Sequence, residues 1–221
     1  MPLKAALLAG PVLLLALLAP SAPAAPTTAG AAERRAEPCV KAAPGRPSGS
    51  VFEKEPAMTV DIKARYTAEL DSTCGKITIE LAAARAPRTV NSFVFLAGRH
   101  FFDHSKCHRL TTRGIHVLQC GDPTGTGTGG PGYRFPDENL RGARYPAGTV
   151  AMANSGPGTN GSQFFLVYRD ARLPASYTPF GKVTGGMEVL RRIAAAGVKG
   201  GGGDGAPAAE VVLNKVIIRR G

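Results

Sequence analysis

From Met152 to Tyr168 the chain runs Met-Ala-Asn-Ser-Gly-Pro-Gly-Thr-Asn-Gly-Ser-Gln-Phe-Phe-Leu-Val-Tyr without one charged side chain. Gly156, Pro157, Gly158, Asn160 and Gly161 are the residue types that close a tight loop, and Ser162 to Tyr168 reads as the strand that follows it. Side chains alternate between faces along a strand, so Gln163 and Phe165 point the same way. An amide beside an aromatic surface suits a groove that holds an apolar ring and hydrogen-bonds the peptide backbone next to it.

Two other groupings invite chemistry and fail on spacing. The run Gly125-Thr-Gly-Thr-Gly-Gly130 lacks the Lys-Ser/Thr ending of a phosphate-binding loop and the strand-to-helix setting of a dinucleotide fingerprint, and reads as a groove loop. His100, His104 and His108 are four residues apart with Cys107 and Cys120 close by. That spacing aligns metal ligands only on a helix, whereas Phe101 to Arg109 reads as a loop entering a strand. No metal is expected; His108 is expected to pack in the fold and His116 to stand at the groove's rim.

The elements that would position this groove are mostly strands. Tyr66, Ala68 and Leu70 alternate with polar neighbours, as do Ile77, Ile79 and Leu81, and the turn at Cys74-Gly75 joins them as a hairpin. Pro87 at a first helical turn, followed by Val90, Phe93, Val94 and Ala97 and then Gly98, predicts an amphipathic helix. Met187 to Ala196 predicts a second, with Val189, Leu190 and Ile193 buried and Gly197 as its stop. Val211 to Ile218 closes the chain as a strand. With 28 glycines and 18 prolines in 221 residues, many short strands and turns are expected. Periodicity by itself yields a mostly β domain with two helices.

Ahead of this domain, residues 1–24 combine one Lys, the apolar run Ala5 to Ala19 and the small residues Ala22-Pro-Ala24, the pattern of a cleaved signal peptide. The alternative is a short membrane anchor, but the run falls short of the roughly 20 residues a span needs. Residues 25–57 are rich in Ala, Pro and Gly, with Val40, Val51 and Phe52 as the only large apolar side chains, and read as a flexible linker. The folded domain is expected at 58–221 and outside the cytoplasm.

Several blocks in fixed order carry a resemblance: Cys107-His-Arg-Leu110, Val117-Leu-Gln-Cys-Gly-Asp122, Gly127-Thr-Gly-Gly-Pro-Gly-Tyr133, Phe135-Pro-Asp-Glu-Asn139, the segment from Met152 to Phe165, Phe180-Gly-Lys-Val183 and Gly186-Met187. Together they resemble the cyclophilin family of peptidyl-prolyl cis-trans isomerases over about residues 61 to 221, and the departures from its common pattern given below, with the signal-like start, resemble its secreted or membrane-associated bacterial branch. The resemblance implies a closed eight-stranded antiparallel β-barrel capped by two α-helices. It implies isomerisation of X–Pro bonds in exported proteins that are still folding, by a monomer without cofactor. The alternative function is a module that binds proline-containing peptides with little turnover.

A prolyl amide resists rotation by about 18–20 kcal/mol because resonance gives its C–N bond double-bond character. Breaking that conjugation needs an apolar pocket for the ring and a donor at the prolyl nitrogen, not a nucleophile. By resemblance Arg109 is the donor, its guanidinium being always charged and forked, and Gln119 bonds the substrate backbone. Phe165 is the pocket floor and Gln163 a groove amide. Ala153 and Asn154 pair with the extended peptide, Gly127 ends the groove, and Val117, His116, Leu173 and Tyr177 form its walls. This chain departs from the common pattern in having His116-Val117 for Phe-Met, Arg172 for Trp and Tyr177 for His. The segment from Arg109 to Gln119 is also two residues longer.

Four cysteines in an exported chain imply disulfides, with three possible pairings. If Arg109 and Gln119 share the groove face, alternation places Cys107 and Cys120 on opposite sides, which speaks against that pair. A bond tying Cys39 to the domain, with Cys74 as its candidate partner, is the expectation. The net charge of +11, or +10 once Lys4 leaves with the signal, favours an anionic cell-wall or lipid surface. The basic residues are dispersed and no aromatics interleave with them, so nucleic acid is not an expected partner.

Overall fold

A computed structural model of the protein describes residues 39–221; the expected signal peptide and the first part of the linker lie outside the described residues. The chain runs β1 (Tyr66–Ser72), β2 (Gly75–Leu81), α1 (Pro87–Gly98), β3 (Ser105–Lys106), β4 (Arg109–Thr111) and β5 (Val117–Cys120). It continues through β6 (Thr149–Met152), β7 (Phe164–Val167), β8 (Pro179–Gly185), α2 (Met187–Ala196), β9 (Asp204–Gly205) and β10 (Val212–Arg220).

All the strand pairings are antiparallel, in the order β3-β10-β1-β2-β8-β6-β7-β5-β4-β9. The sheet curls because β3 and β4, near its opposite ends, are two pieces of one stretch of chain interrupted at Cys107-His108. The first piece pairs with β10 and the second with β5. The ten strands in place of the expected eight reflect this interruption and the two-residue β9.

Strand alternation sorts the apolar residues onto two faces. Along β1 buried and half-buried residues alternate without a break. β6 and β7 are buried on both faces. Val150, Met152, Phe164 and Leu166 enter the large interior core, while Ala151, Phe165 and Val167 join Val117, Tyr145 and Ala171 in a smaller cluster on the opposite face. Inside, Phe93 stacks on Phe102 at 5.0 Å and meets Phe164 and Phe180 at 5.4 Å each.

α1 begins at Pro87, whose missing N–H costs nothing at a first turn. Ala86 offers no side-chain cap; Glu138 supplies one from a distant loop. Its carboxylate accepts the backbone N–H of Arg88 (3.1 Å) and of Thr89 (2.8 Å) and the Thr89 hydroxyl (2.8 Å), placing negative charge at the helix's positive end. α2 ends at Gly197 with φ at 80°, the expected stop.

Residues 39–57 carry no helix or strand, in keeping with their composition, but they lie along the domain instead of hanging free of it. Cys39 is bonded to Cys74, and Val40 N–H donates to the carbonyl of Thr73 at 2.8 Å. Phe52 meets the Phe95 ring edge-on at 5.0 Å and donates its N–H to Pro131 at 2.8 Å. Glu55 accepts from Arg88 Nε at 3.0 Å. Gly132 admits this contact: with φ at 93°, a Cβ there would stand 2.6 Å from the Phe52 carbonyl. The few large apolar side chains of this stretch thus include one with a prepared aromatic seat.

The second disulfide, Cys107–Cys120, is the pairing that strand alternation disfavoured. Alternation holds only within a regular strand, and the break between β3 and β4 falls on Cys107 and His108. The break turns Cys107 inward, to 3% exposure beside the fully buried Cys120.

Candidate active site

Register places four side chains in one row across four adjacent strands. Arg109 on β4 is opposite Gln119 on β5, Gln119 is opposite Phe165 on β7, and Phe165 is opposite Ala151 on β6. Because each strand's next residue faces the interior core, this row belongs to the outer face. Phe164 fills the core and Phe165 does not.

Above the row lies a cleft of about 670 Å³. Arg109, Gln119, Gln163, Phe165, Ala153, Asn154, Val117, Gly127, Leu173 and Tyr177 all line it, bringing together every expected groove residue except one. The exception is His116. It precedes Val117 and so has the opposite parity; its ring stands edge-on to Tyr168 at 5.7 Å, and Ile115, two residues from Val117, takes the place at the rim. Arg172 is exposed and outside the lining.

The apolar end is built from Phe165, 4% exposed, with Tyr177 edge-on at 5.6 Å and Tyr145 behind at 6.4 Å. Tyr145 donates its hydroxyl to the Tyr177 carbonyl at 2.8 Å and accepts the Tyr177 N–H at 3.1 Å, which fixes that wall. Asn154 donates to the Ser176 carbonyl at 2.8 Å, fixing the other side.

The polar end is a chain of hydrogen bonds. Arg109 Nη1 donates to Gln119 Oε1 at 3.3 Å, and Gln119 Nε2 donates to Gln163 Oε1 at 2.8 Å. Gln163 Nε2 in turn donates to the carbonyls of Gly127 and Gly129, both at 2.9 Å. Gln163 therefore ties the glycine loop to the sheet. The same loop is gathered from below by Asp122, fully buried, whose carboxylate accepts the N–H groups of Thr124, Thr126, Gly127 and Gly129 and the Thr124 hydroxyl. Burial opposes the charge on Asp122, but these hydrogen bonds outweigh it and hold its carboxyl below the ordinary value. His108 lies beneath Gly127, and burial pushes its imidazole below its usual range.

Asp204 does not line the cleft but holds Arg109 there, a role that the sequence did not disclose. Its carboxylate accepts Arg109 Nε at 2.7 Å and Nη2 at 2.6 Å, a two-pronged ion pair. These bonds raise the guanidinium's pKa above its already high value and lower that of Asp204. The residue sits in Gly200-Gly-Gly-Gly-Asp-Gly205, a run whose single charged side chain was the available signal. No group of three or more His, Cys, Asp or Glu gathers as a metal site among the described residues.

Residues 66–218 match the family profile described as cyclophilin type peptidyl-prolyl cis-trans isomerase. The chain is 49% identical over 169 residues to a probable peptidyl-prolyl cis-trans isomerase B of Mycobacterium tuberculosis, a match covering 70% of this chain and 55% of that one. The Mycobacterium leprae counterpart is 48% identical over 167 residues, covering 69% and 57%. The chain thus spans little more than half the length of these relatives. Among solved structures, a Cryptosporidium parvum cyclophilin type peptidyl-prolyl cis-trans isomerase superposes with a TM-score of 0.63 at 27% identity, covering 70% of this chain and 98% of that one. A second crystal structure of it, in the presence of the dipeptide Ala-Pro, gives 0.62 at 28% identity, covering 69% and 98%.

Proposed function

Because the chain belongs to the cyclophilin-type peptidyl-prolyl cis-trans isomerase family, we propose that it accelerates rotation about X–Pro peptide bonds held in this cleft. The observation that carries the reading is the row Arg109, Gln119, Phe165: a charged donor and an amide in line with an aromatic floor. The proline ring rests on Phe165, between Val117, Leu173 and Tyr177, and an extended peptide runs along Ala153 and Asn154. A guanidinium carries five N–H groups. Asp204 takes two and Gln119 one, leaving two for a substrate.

As the amide twists, the prolyl nitrogen loses conjugation and regains a lone pair. A donor placed there stabilises the twisted state more than either planar one, which is what lowers a barrier. Each 1.4 kcal/mol of such preference is about tenfold in rate. The reaction needs no covalent intermediate, and the groove's groups are all donors, acceptors or apolar surface. The Ala-Pro dipeptide present with the Cryptosporidium parvum relative is of the ligand class this groove fits.

The test is isomerisation of short X–Pro peptides by the wild type and Arg109→Ala. The variant should lose roughly 100-fold in kcat/KM, the effect of removing one preorganised donor, while its circular dichroism and peptide affinity are retained. A module that binds without turnover would show affinity in both proteins and no difference in rate.

The apolar, uncharged residues 5–19 support export, with proteins folding outside the cytoplasm as clients. Mass spectrometry of the mature chain tests this by the loss of residues 1–24. A second cleft, of about 540 Å³, is lined by Arg85, Arg141, Arg144 and Lys182 against the single carboxylate of Glu80. None of those four cations is ion-paired among the described residues, which supports attraction to an anionic lipid or wall surface. Cosedimentation with anionic but not neutral vesicles, lost on Arg141→Glu with Arg144→Glu, tests it.

A further inference from the structure

We propose that Asp204 is a positioning residue for the isomerase reaction, carried to the site by the glycine-rich segment between α2 and β10 and acting through Arg109. The inference rests on the function proposed above.

β9 adds to the free side of β4, with Gly205 opposite Leu110, Asp204 opposite Thr111, and Thr112 N–H donating to Gly203 at 2.8 Å. This sets Asp204 diagonally across the ladder from Arg109, within reach of a long side chain. The pair then closes through both oxygens of Asp204, onto Nε and Nη2 of Arg109. Two parallel bonds between planar groups fix an orientation, which a single contact would not. Gln119 holds the remaining nitrogen, so all three guanidinium nitrogens are held from the enzyme side.

The pair's exposure separates a catalytic role from a stabilising one. Arg109 and Asp204 side chains are 40% and 54% exposed, and exposed ion pairs contribute little to stability. What the carboxylate does provide is order. An unheld arginine spreads over many rotamers, and each mis-aimed one removes the donor from the prolyl nitrogen. The carrier segment also fits this use. Gly205 has φ at 153°, and a Cβ there would stand 3.0 Å from Val198, so the carboxylate is delivered by a backbone path that favours glycine. No residue of the segment lines the cleft itself, so Asp204 bears on it only through Arg109.

The experiment compares wild type, Asp204→Asn, Asp204→Glu, Arg109→Ala and the double variant Arg109→Ala/Asp204→Asn in the 221-residue chain, measuring kcat and KM on one X–Pro peptide. Asp204→Asn should lower kcat by roughly tenfold with KM within about twofold, as expected when a donor is mis-aimed in the transition state only. Asp204→Glu, which keeps the fork on a longer stem, should recover part of that loss. In the Arg109→Ala background, Asp204→Asn should change nothing further. An unchanged or increased kcat for Asp204→Asn overturns the proposal, and so does an equal loss in both backgrounds. Arg109→Ala behaving as wild type would instead sink the proposed function itself, and the two failures are distinct.

Discussion

Gln119 and Gln163 share one hydrogen bond, Nε2 to Oε1 at 2.8 Å, and it joins the β4–β5 strand pair to the loop that forms the far wall of the cleft. Gln163 completes the link through the carbonyls of Gly127 and Gly129. Polar contacts on both sides of one amide make it a brace for the groove's width.

Gln163→Leu should therefore lower kcat/KM by about tenfold, mostly through KM, since all three hydrogen bonds of the brace are lost, each of about 1 kcal/mol net and only part of that total bearing on peptide binding. Gln163→Glu should be worse at neutral pH, because a carboxylate cannot donate to the two glycine carbonyls. Steady-state kinetics on a single X–Pro peptide checks both; a Glu variant equal to the wild type would contradict the bracing role.

Asp122 gathers the same loop from beneath, and its protonation should release it. Its folded-state pKa lies below the ordinary value of 3.8, so its contribution is present above that value and disappears as the pH falls through the lower, folded-state one. Unfolding midpoints in denaturant should drop along this acid limb, and Asp122→Asn should flatten the drop while costing about 2 kcal/mol at neutral pH, the usual size for a lost charge-assisted hydrogen bond. An Asn variant with the wild type's acid limb would assign the transition elsewhere.

The Cys107–Cys120 bond closes a loop of 13 residues that contains Arg109 and Gln119. Replacing both with Ala should reduce unfolding free energy by about 2–3 kcal/mol on loop-closure grounds. Because β4 and β5 remain paired in register, activity at low temperature should survive within a few-fold. Guanidinium unfolding and a rate measurement at 10 °C on the same sample separate the two effects.

The groove was legible in the sequence because its residues lie on regular strands. Gln163 and Phe165 share parity, and once Arg109 and Gln119 are paired the row follows. The limits of α2 were legible for a similar reason: its apolar stripe and Gly197 are local signals. What escaped depends on irregular backbone or distant partners. Cys107 sits in a break that cancels alternation, and His116 was assigned to the rim although its neighbour Val117 takes that face. Asp204 reaches Arg109 across 95 residues of sequence. Phe52 reads as a stray apolar residue in a linker until Phe95 and Phe101 surround it.

That docked segment yields a final prediction. Phe52 touches Phe95 of α1 and donates its N–H to Pro131, next to Gly132 in the cleft's lining. Removing the ring should act in two places. Phe52→Ala should cost about 2 kcal/mol, less than the 3–5 of a fully buried phenylalanine because the ring is only partly covered. For a domain of this size that is a fall of roughly 4–8 °C in Tm. It should also loosen the segment at Pro131–Gly132, raising KM for a peptide that fills the whole cleft by about threefold, because a wall that must be ordered on binding weakens affinity. A dipeptide confined to the Phe165 end should be bound as before. Calorimetry gives the first number, and KM for a long and a short peptide gives the second. A loss of Tm with both KM values unchanged would limit residues 39–57 to stabilising the fold and leave the groove wall independent of them.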